Sequence, residues 1–331
     1  MRNPATLKKI SDHLSISIST VSRALKDHQD VSPDTKRRVK ELAEMLDYEP
    51  NSFAVNLRKQ HSDLFAVMVP QISNFFYHSF IEAVEIQARS IGYSLMILQS
   101  MNDTEVERNN LKLCRYNHVA GVFVALSSTT ENIDAFRKME EWDIPVVFFD
   151  MVPEEGVFNR VVLSDYEIGR LAAEKMRQSG RKKIFALMGQ PHLSITHRRE
   201  KGIREYISDS DWDTELEITY TKSELDAMEQ TITYMQNNRV GTAIFSMSDE
   251  TLCGAIRALN QLHLSFPTDV SLLTVSNGFL PKLFSPEIAY IETNGKKLGM
   301  LTFERMKEIL SGVTSVKDSY LDCSYYEGGS L

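Results

Sequence analysis

Seven short apolar runs recur along the chain, Leu64–Pro70, Ser94–Gln99, Gly121–Leu126, Val146–Asp150, Lys183–Gly189, Thr242–Ser246 and Val270–Ser276, with amphipathic stretches between them. Each run is nearly continuous rather than alternating, which marks a strand buried on both faces. Strands of that kind separated by helices build parallel sheets covered on both sides. The alternation breaks after Asp150 and restarts at about Val161, so two α/β subdomains are expected rather than one. With 331 residues, 42% hydrophobic and 25% charged, the chain has material for two or three domains.

The first 60 residues have a different texture. Thr6 precedes Leu7, Ile10 and Leu14 at helical spacing and is placed to cap them. Ser15-Ile16-Ser17 interrupts the pattern, and Ile18–Leu25 resumes it with Val21, Ala24 and Leu25 on one face. Ser32-Pro33-Asp34 then supplies an N-cap, a proline at the first helical position and an acid near the positive end of the helix dipole. A third helix follows, burying Val39, Leu42, Ala43 and Leu46, and Pro50 closes the unit. Two short helices joined by a tight turn, with a third behind them, suit a helix-turn-helix head; a three-helix protein-protein module has the same periodicity.

Charge separates the two regions. Residues 1–60 carry +3 and the remainder −11, against a total of −8. A basic head on an acidic body concentrates phosphate attraction at one end while the body repels DNA. In a helix-turn-helix the N-terminal part of the second helix meets the base edges. Ile18, Ser19 and Arg23 lie opposite Val21 and Leu25, and arginine pairs bidentately with guanine while isoleucine packs on a thymine methyl. Thr6, Ser17, Ser22 and Asn51 offer hydroxyl and amide groups for phosphates.

Those residues stand within Thr6-Leu7-Lys8-Lys9-Ile10-Ser11, Ile16-Ser17-Ile18-Ser19-Thr20-Val21-Ser22-Arg23-Ala24-Leu25, Val31-Ser32-Pro33-Asp34-Thr35-Lys36-Arg37-Arg38-Val39 and Leu46-Asp47-Tyr48-Glu49-Pro50-Asn51. The whole set resembles the head of the lactose-repressor (LacI) family of transcriptional regulators. The resemblance implies that Ile18, Ser19 and Arg23 read the operator. It implies a hinge helix over 51–60, with Asn51, Ala54 and Leu57 as DNA contacts and Leu57 as the side chain wedged into the minor groove. Ser15 departs from the family, which usually has Gly in the turn; serine tolerates a positive φ at small cost.

The resemblance continues into a periplasmic-binding-protein-like core, carried by Val69-Pro70-Gln71-Ile72-Ser73-Asn74-Phe75-Phe76-Tyr77, Ile144-Pro145-Val146-Val147, Arg199-Glu200-Lys201-Gly202 and Phe266-Pro267-Thr268-Asp269-Val270-Ser271. It implies a head over 1–50, a hinge over 51–60 and an effector-binding, dimerising core over 61–331. The N-subdomain would take about 61–161 plus 292–321, and the C-subdomain about 162–291 plus 322–331. A ligand would lie between the subdomains, at the carboxyl ends of the strands. The expected contacts are Phe75, Phe76 and Tyr77, of which at least one belongs to the core, with Asp150, Arg199, Ser248, Asp249, Ser276 and Asn277. Asp150 serves equally well as a turn cap. Ser248-Asp249 stands where many members have Asn-Asp, and Ser276-Asn277 where they have paired aspartates. With Arg199 kept and those carboxylates lost, a sugar acid, sugar phosphate or similar anionic ligand heads the expectation, with a neutral sugar behind it.

Enzymatic function finds no support. The chain has no phosphate loop, dinucleotide turn, nucleophile elbow or His-Glu-x-x-His pair, and His192 and His197 make weak metal evidence. Cys114, Cys253 and Cys323 lack metal or disulfide spacing. No cofactor or metal is expected. The first ten residues have no apolar signal-peptide core, and no run reaches membrane-spanning length, so a cytoplasmic protein without membrane contact is expected. One small head offers few contacts, so a homodimer on pseudo-palindromic double-stranded DNA is expected as well. The competing reading is a small-molecule receptor with no regulatory DNA role.

Overall fold

The computed structural model describes residues 6–48, 62–153, 156, 158–238 and 241–331. The chain divides into two compact units, Met1–Ser62 and Asp63–Leu331.

The first unit holds α1 (Leu7–Leu14), α2 (Ile18–Leu25) and α3 (Pro33–Met45). Each starts on a hydroxyl cap: Thr6 accepts from the Lys9 amide at 3.3 Å, Ser17 from Thr20 at 3.0 Å and Ser32 from Thr35 at 3.2 Å. These bonds satisfy amides that have no partner within the helix. Ser15 takes the left-handed conformation, φ 53°, that lets the chain reverse between α1 and α2. Ile10, Val21, Ala24, Val31, Val39 and Ala43 form the shared core, with Leu42 and Leu46 partly buried against it. The hinge expected over 51–60, with Asn51, Ala54 and Leu57, lies outside the described residues.

In the second unit, β1 (Leu64–Val69), β2 (Ser94–Gln99), β3 (Gly121–Val124), β4 (Val146–Phe149), β5 (Asn159–Leu163) and β11 (Asp318–Leu321) form one sheet in the order β11-β5-β4-β3-β1-β2. Every pairing in it is parallel. The second sheet runs β12-β10-β9-β8-β6-β7, from β6 (Lys183–Met188), β7 (Glu215–Tyr220), β8 (Thr242–Ser246), β9 (Ser271–Ser276), β10 (Ala289–Glu292) and β12 (Ser324–Tyr326). Only β12 is antiparallel among these pairings.

The continuous apolar runs follow from cover on both faces. Phe65, Val67 and Val69 of β1 enter one cluster with Phe80 and Phe303, whereas Ala66 and Met68 enter another with Leu111 and Phe136. The same division splits β6, Ile184 and Ala186 to one side and Phe185 and Leu187 to the other. The covering helices are α4 (Phe75–Ser90), α5 (Thr104–Tyr116), α6 (Asp134–Glu141) and α11 (Gly295–Leu310) around the first sheet. Around the second lie α7 (Asp165–Gln178), α8 (Ser194–Asp209), α9 (Glu224–Asn237) and α10 (Asp249–Gln261). The chain passes between the sheets three times: from β5 to α7, from β10 to α11 and from β11 to β12.

Candidate functional site

A cavity of about 230 Å³ opens where strands of both sheets end. From the first sheet come Pro70 after β1 and Asp150 after β4; from the second come Gly189 after β6, Met247–Asp249 after β8 and Ser276 of β9. Carboxyl ends of parallel strands are where open sheets hold ligands.

Asn74 positions the aromatic wall by capping α4, its side chain accepting from the Phe76 amide at 2.9 Å. Phe76 and Tyr77 line the cavity, and the Tyr77 hydroxyl donates to Asp150 Oδ2 at 2.7 Å. Asp150 itself sits in the left-handed region at φ 56°. Protein surrounds its carboxyl apart from the cavity face, and this desolvation raises its pKa to about 6, against the pull of the Tyr77 hydroxyl. Tyr77 moves well above its ordinary range through its own burial and the facing carboxylate.

Arg199 is buried in the opposite wall, and each of its three nitrogens already has a protein partner. Nε donates to Asp165 Oδ1 at 2.9 Å, Nη2 reaches the same oxygen at 2.8 Å, and Nη1 donates to the Met247 carbonyl at 2.8 Å. Burial pushes the Asp165 carboxyl upward while the guanidinium pulls it down. Arg199 thus reaches the cavity, as expected of an effector contact, with its charge shared with Asp165 rather than free for an anion.

The pair owes its burial to two glycines. A Cβ on Gly169 would run into the Arg199 carbonyl, and one on Gly202 into the carbonyl of Tyr166. Bare backbone at both points lets α7 and α8 touch, bringing Asp165 opposite Arg199. Gly202→Ala is expected to destabilise the body by about 1–3 kcal/mol through overpacking, read as a lower urea midpoint with unchanged m-value.

On the second sheet Ser248 caps α10, accepting from the Thr251 amide at 3.3 Å. Asp249, the next residue, is raised by burial, opposed by the Ser276 hydroxyl and the Asn277 backbone. Its Oδ1 and the Ser246 Oγ are buried with no hydrogen-bond partner among the described residues. Ser276 accepts from the Gly278 amide at 3.1 Å, which leaves its proton for Asp249.

Phe76, Tyr77, Asp150, Arg199, Ser248, Asp249 and Ser276 thus meet at one cavity. Phe75 and Asn277 lie outside its lining. Phe75 packs against Phe279 with the rings tilted by 37° and their centroids 4.8 Å apart, and Asn277 accepts from the Phe279 amide at 3.0 Å. Both are drawn to a contact between the two subdomains instead. A second such contact joins His192 Nε2 to the Ser128 carbonyl. Asn102, Ser128, Lys222 and Glu250 also line the cavity and were not expected from sequence; each is a polar loop or helix-start residue without a distinguishing pattern. Among the described residues no His/Cys/Asp/Glu group could hold a metal ion.

In the head, Ser17 at the N-cap and Ile18, Ser19 and Arg23 of α2 are exposed, with Ile18 46% accessible although isoleucine is usually buried. Arg23 Nη1 meets Asp30 Oδ2 at 3.1 Å, an exposed pair. Ser17 Oγ also bonds Ser19 Oγ at 2.7 Å. Thr6 is exposed and Ser22 half-buried.

Residues 65–279 match the model of a periplasmic binding protein domain, and residues 6–51 that of bacterial regulatory proteins, lacI family. The HTH-type transcriptional repressor PurR of Actinobacillus pleuropneumoniae serotype 3 is 25% identical over 309 residues, 92% of this chain and 91% of its own. The lac repressor dimer bound to operator and the anti-inducer ONPF superposes with a TM-score of 0.87 at 20% identity, covering 99% of both chains. A complex of the transcriptional regulator CelR with cellobiose gives 0.73 at 19% identity, over 99% of this chain and 100% of that one. A lacI-type head and a periplasmic-binding body occupy one chain in the same order as in these repressors, and the protein belongs to the lacI family of bacterial regulatory proteins.

Proposed function

We propose that this DNA-binding transcriptional regulator reads a pseudo-palindromic operator as a homodimer, and that a small sugar-like metabolite in the cavity sets its operator affinity. The observation that carries the proposal is the polar cavity at the strand ends of a body joined in one chain to a capped, exposed reading helix. Relatives bound to operator and an anti-inducer, and to cellobiose, support it. Among the described residues no helix is long and apolar enough to cross a membrane, which agrees with action in the cytoplasm.

Ile18, Ser19 and Arg23 would read bases, while Thr6, Ser17, Ser22 and Asn51 contact phosphates, Leu57 wedges into the minor groove and Ala54 is a further DNA contact. Arg23 would leave Asp30 for guanine, a small loss because exposed ion pairs contribute little. Arg23→Ala should weaken operator binding by about 1–3 kcal/mol and relax preference at one base pair per half-site. Gel shifts on a selected operator and on random DNA check this; equal loss on both would return Arg23 to a structural or phosphate role. Absence of any operator preference in the wild type would favour a plain small-molecule receptor.

A further inference from the structure

The charged groups lining the cavity are unevenly matched. Asp150, Asp249 and Glu250 face Arg199 and Lys222, and Arg199 is cancelled by Asp165 behind it. Asp249 is the most isolated. Its charged form is supported by the Ser276 hydroxyl and the Asn277 backbone rather than by a lysine or arginine, and its Oδ1 has no partner. Ser246, fully buried at the end of the same strand, has an unpartnered hydroxyl too. Across the cavity, Asp150 takes the Tyr77 hydroxyl on Oδ2. A carboxylate oxygen buried without a donor is costly, and a charged donor satisfies it about twice as strongly as a neutral one.

We infer that the effector is a single-ring polyol bearing an amino group, its ammonium on Asp249 and its hydroxyls toward Asp150. This rests on the reading of the cavity as the effector site. The volume of about 230 Å³ lies below the roughly 300–1,000 Å³ of pockets for larger ligands, which suits one ring. An acid would meet three carboxylates, with Lys222 and an Arg199 already shared with Asp165 to receive it. A neutral sugar would satisfy the Asp249 oxygen but leave its charge uncompensated.

The test is calorimetric titration of the full chain with three matched sets, in the gluco, galacto and manno series. Each set comprises the neutral hexose, its 2-amino derivative and its uronic acid. In at least one series the amino sugar should bind tenfold or more tightly than both partners. Asp249→Asn should reduce it to the affinity of the neutral hexose while leaving the melting temperature unchanged or higher, because a neutral amide replaces a buried anion. A neutral hexose or uronic acid that binds as well as the amino sugar in every series, and shifts operator affinity, overturns the inference and leaves the cavity reading standing. Amino-sugar preference that survives in Asp249→Asn also overturns it. Silence of all nine compounds, with operator affinity unmoved by Asp249→Asn, removes the inference and the cavity reading together.

Discussion

Arg199→Ala is expected to cost about 3–5 kcal/mol of folding stability, because it leaves the Asp165 carboxylate buried without its cation. Both side chains are nearly inaccessible, at 5% and 3% of their surface, so water cannot replace the lost partner. The substitution also strands the Met247 carbonyl, which accepts from Nη1. Urea denaturation of the variant should show a much lower midpoint. Adding Asp165→Asn should recover part of the loss, since a neutral pair of groups is cheaper to bury than a lone charge. A variant of wild-type stability that has lost affinity only for acidic ligands would restore Arg199 as an anion receptor.

Asp150→Asn should act in the opposite direction, and only above mild acid. The native carboxyl titrates at about 6, whereas in the unfolded chain it titrates near 3.9. Between those values the folded state holds a proton that the unfolded state has released, so stability falls as pH rises through the window and stays low above it. Two units correspond to roughly 3 kcal/mol. Asparagine keeps an acceptor for the Tyr77 hydroxyl without the charge, so the variant should exceed wild type by an amount of that order at pH 8. The two should converge near pH 3.5. Melting curves across pH 3.5–8 decide it; a difference independent of pH would mean that the side chain acts by shape alone.

Much of the scaffold was legible because local rules and tertiary packing agree. Thr6 and Ser32 cap the helices they were expected to cap, Ser17 caps α2 as well, and Ser15 takes the positive φ its place in the turn demanded. Strands buried on both faces, such as Leu64–Val69 and Thr242–Ser246, were readable from apolar continuity. Of the four edge strands among the described residues, Ser94–Gln99 was read, as a strand covered on both faces although it is partly exposed, and the other three were not. Glu215–Tyr220 alternates with acids, and Asp318–Leu321 and Ser324–Tyr326 are too short and polar to stand out, because one side of an edge strand pairs with nothing. The cavity was half legible. Individual positions could be named, but the charge balance turned on Asp165, which lies 34 residues from Arg199 and marks itself only by Gly169 one turn later. Reading Arg199 without its partner left out the carboxylate that shares its charge.

The three passages between the sheets also have a consequence for the order in which the protein is made. The first sheet has five of its strands by residue 163, but the helix that completes the cluster around Phe65 and Phe123, through Leu298, Phe303 and Met306, starts at Gly295. At roughly 5–20 residues per second of synthesis, the intervening stretch takes on the order of 7–30 s. For that interval a nascent chain on the ribosome carries an aromatic sheet face with one of its two covering helices still unmade, and neighbouring nascent chains or chaperones meet the uncovered part first.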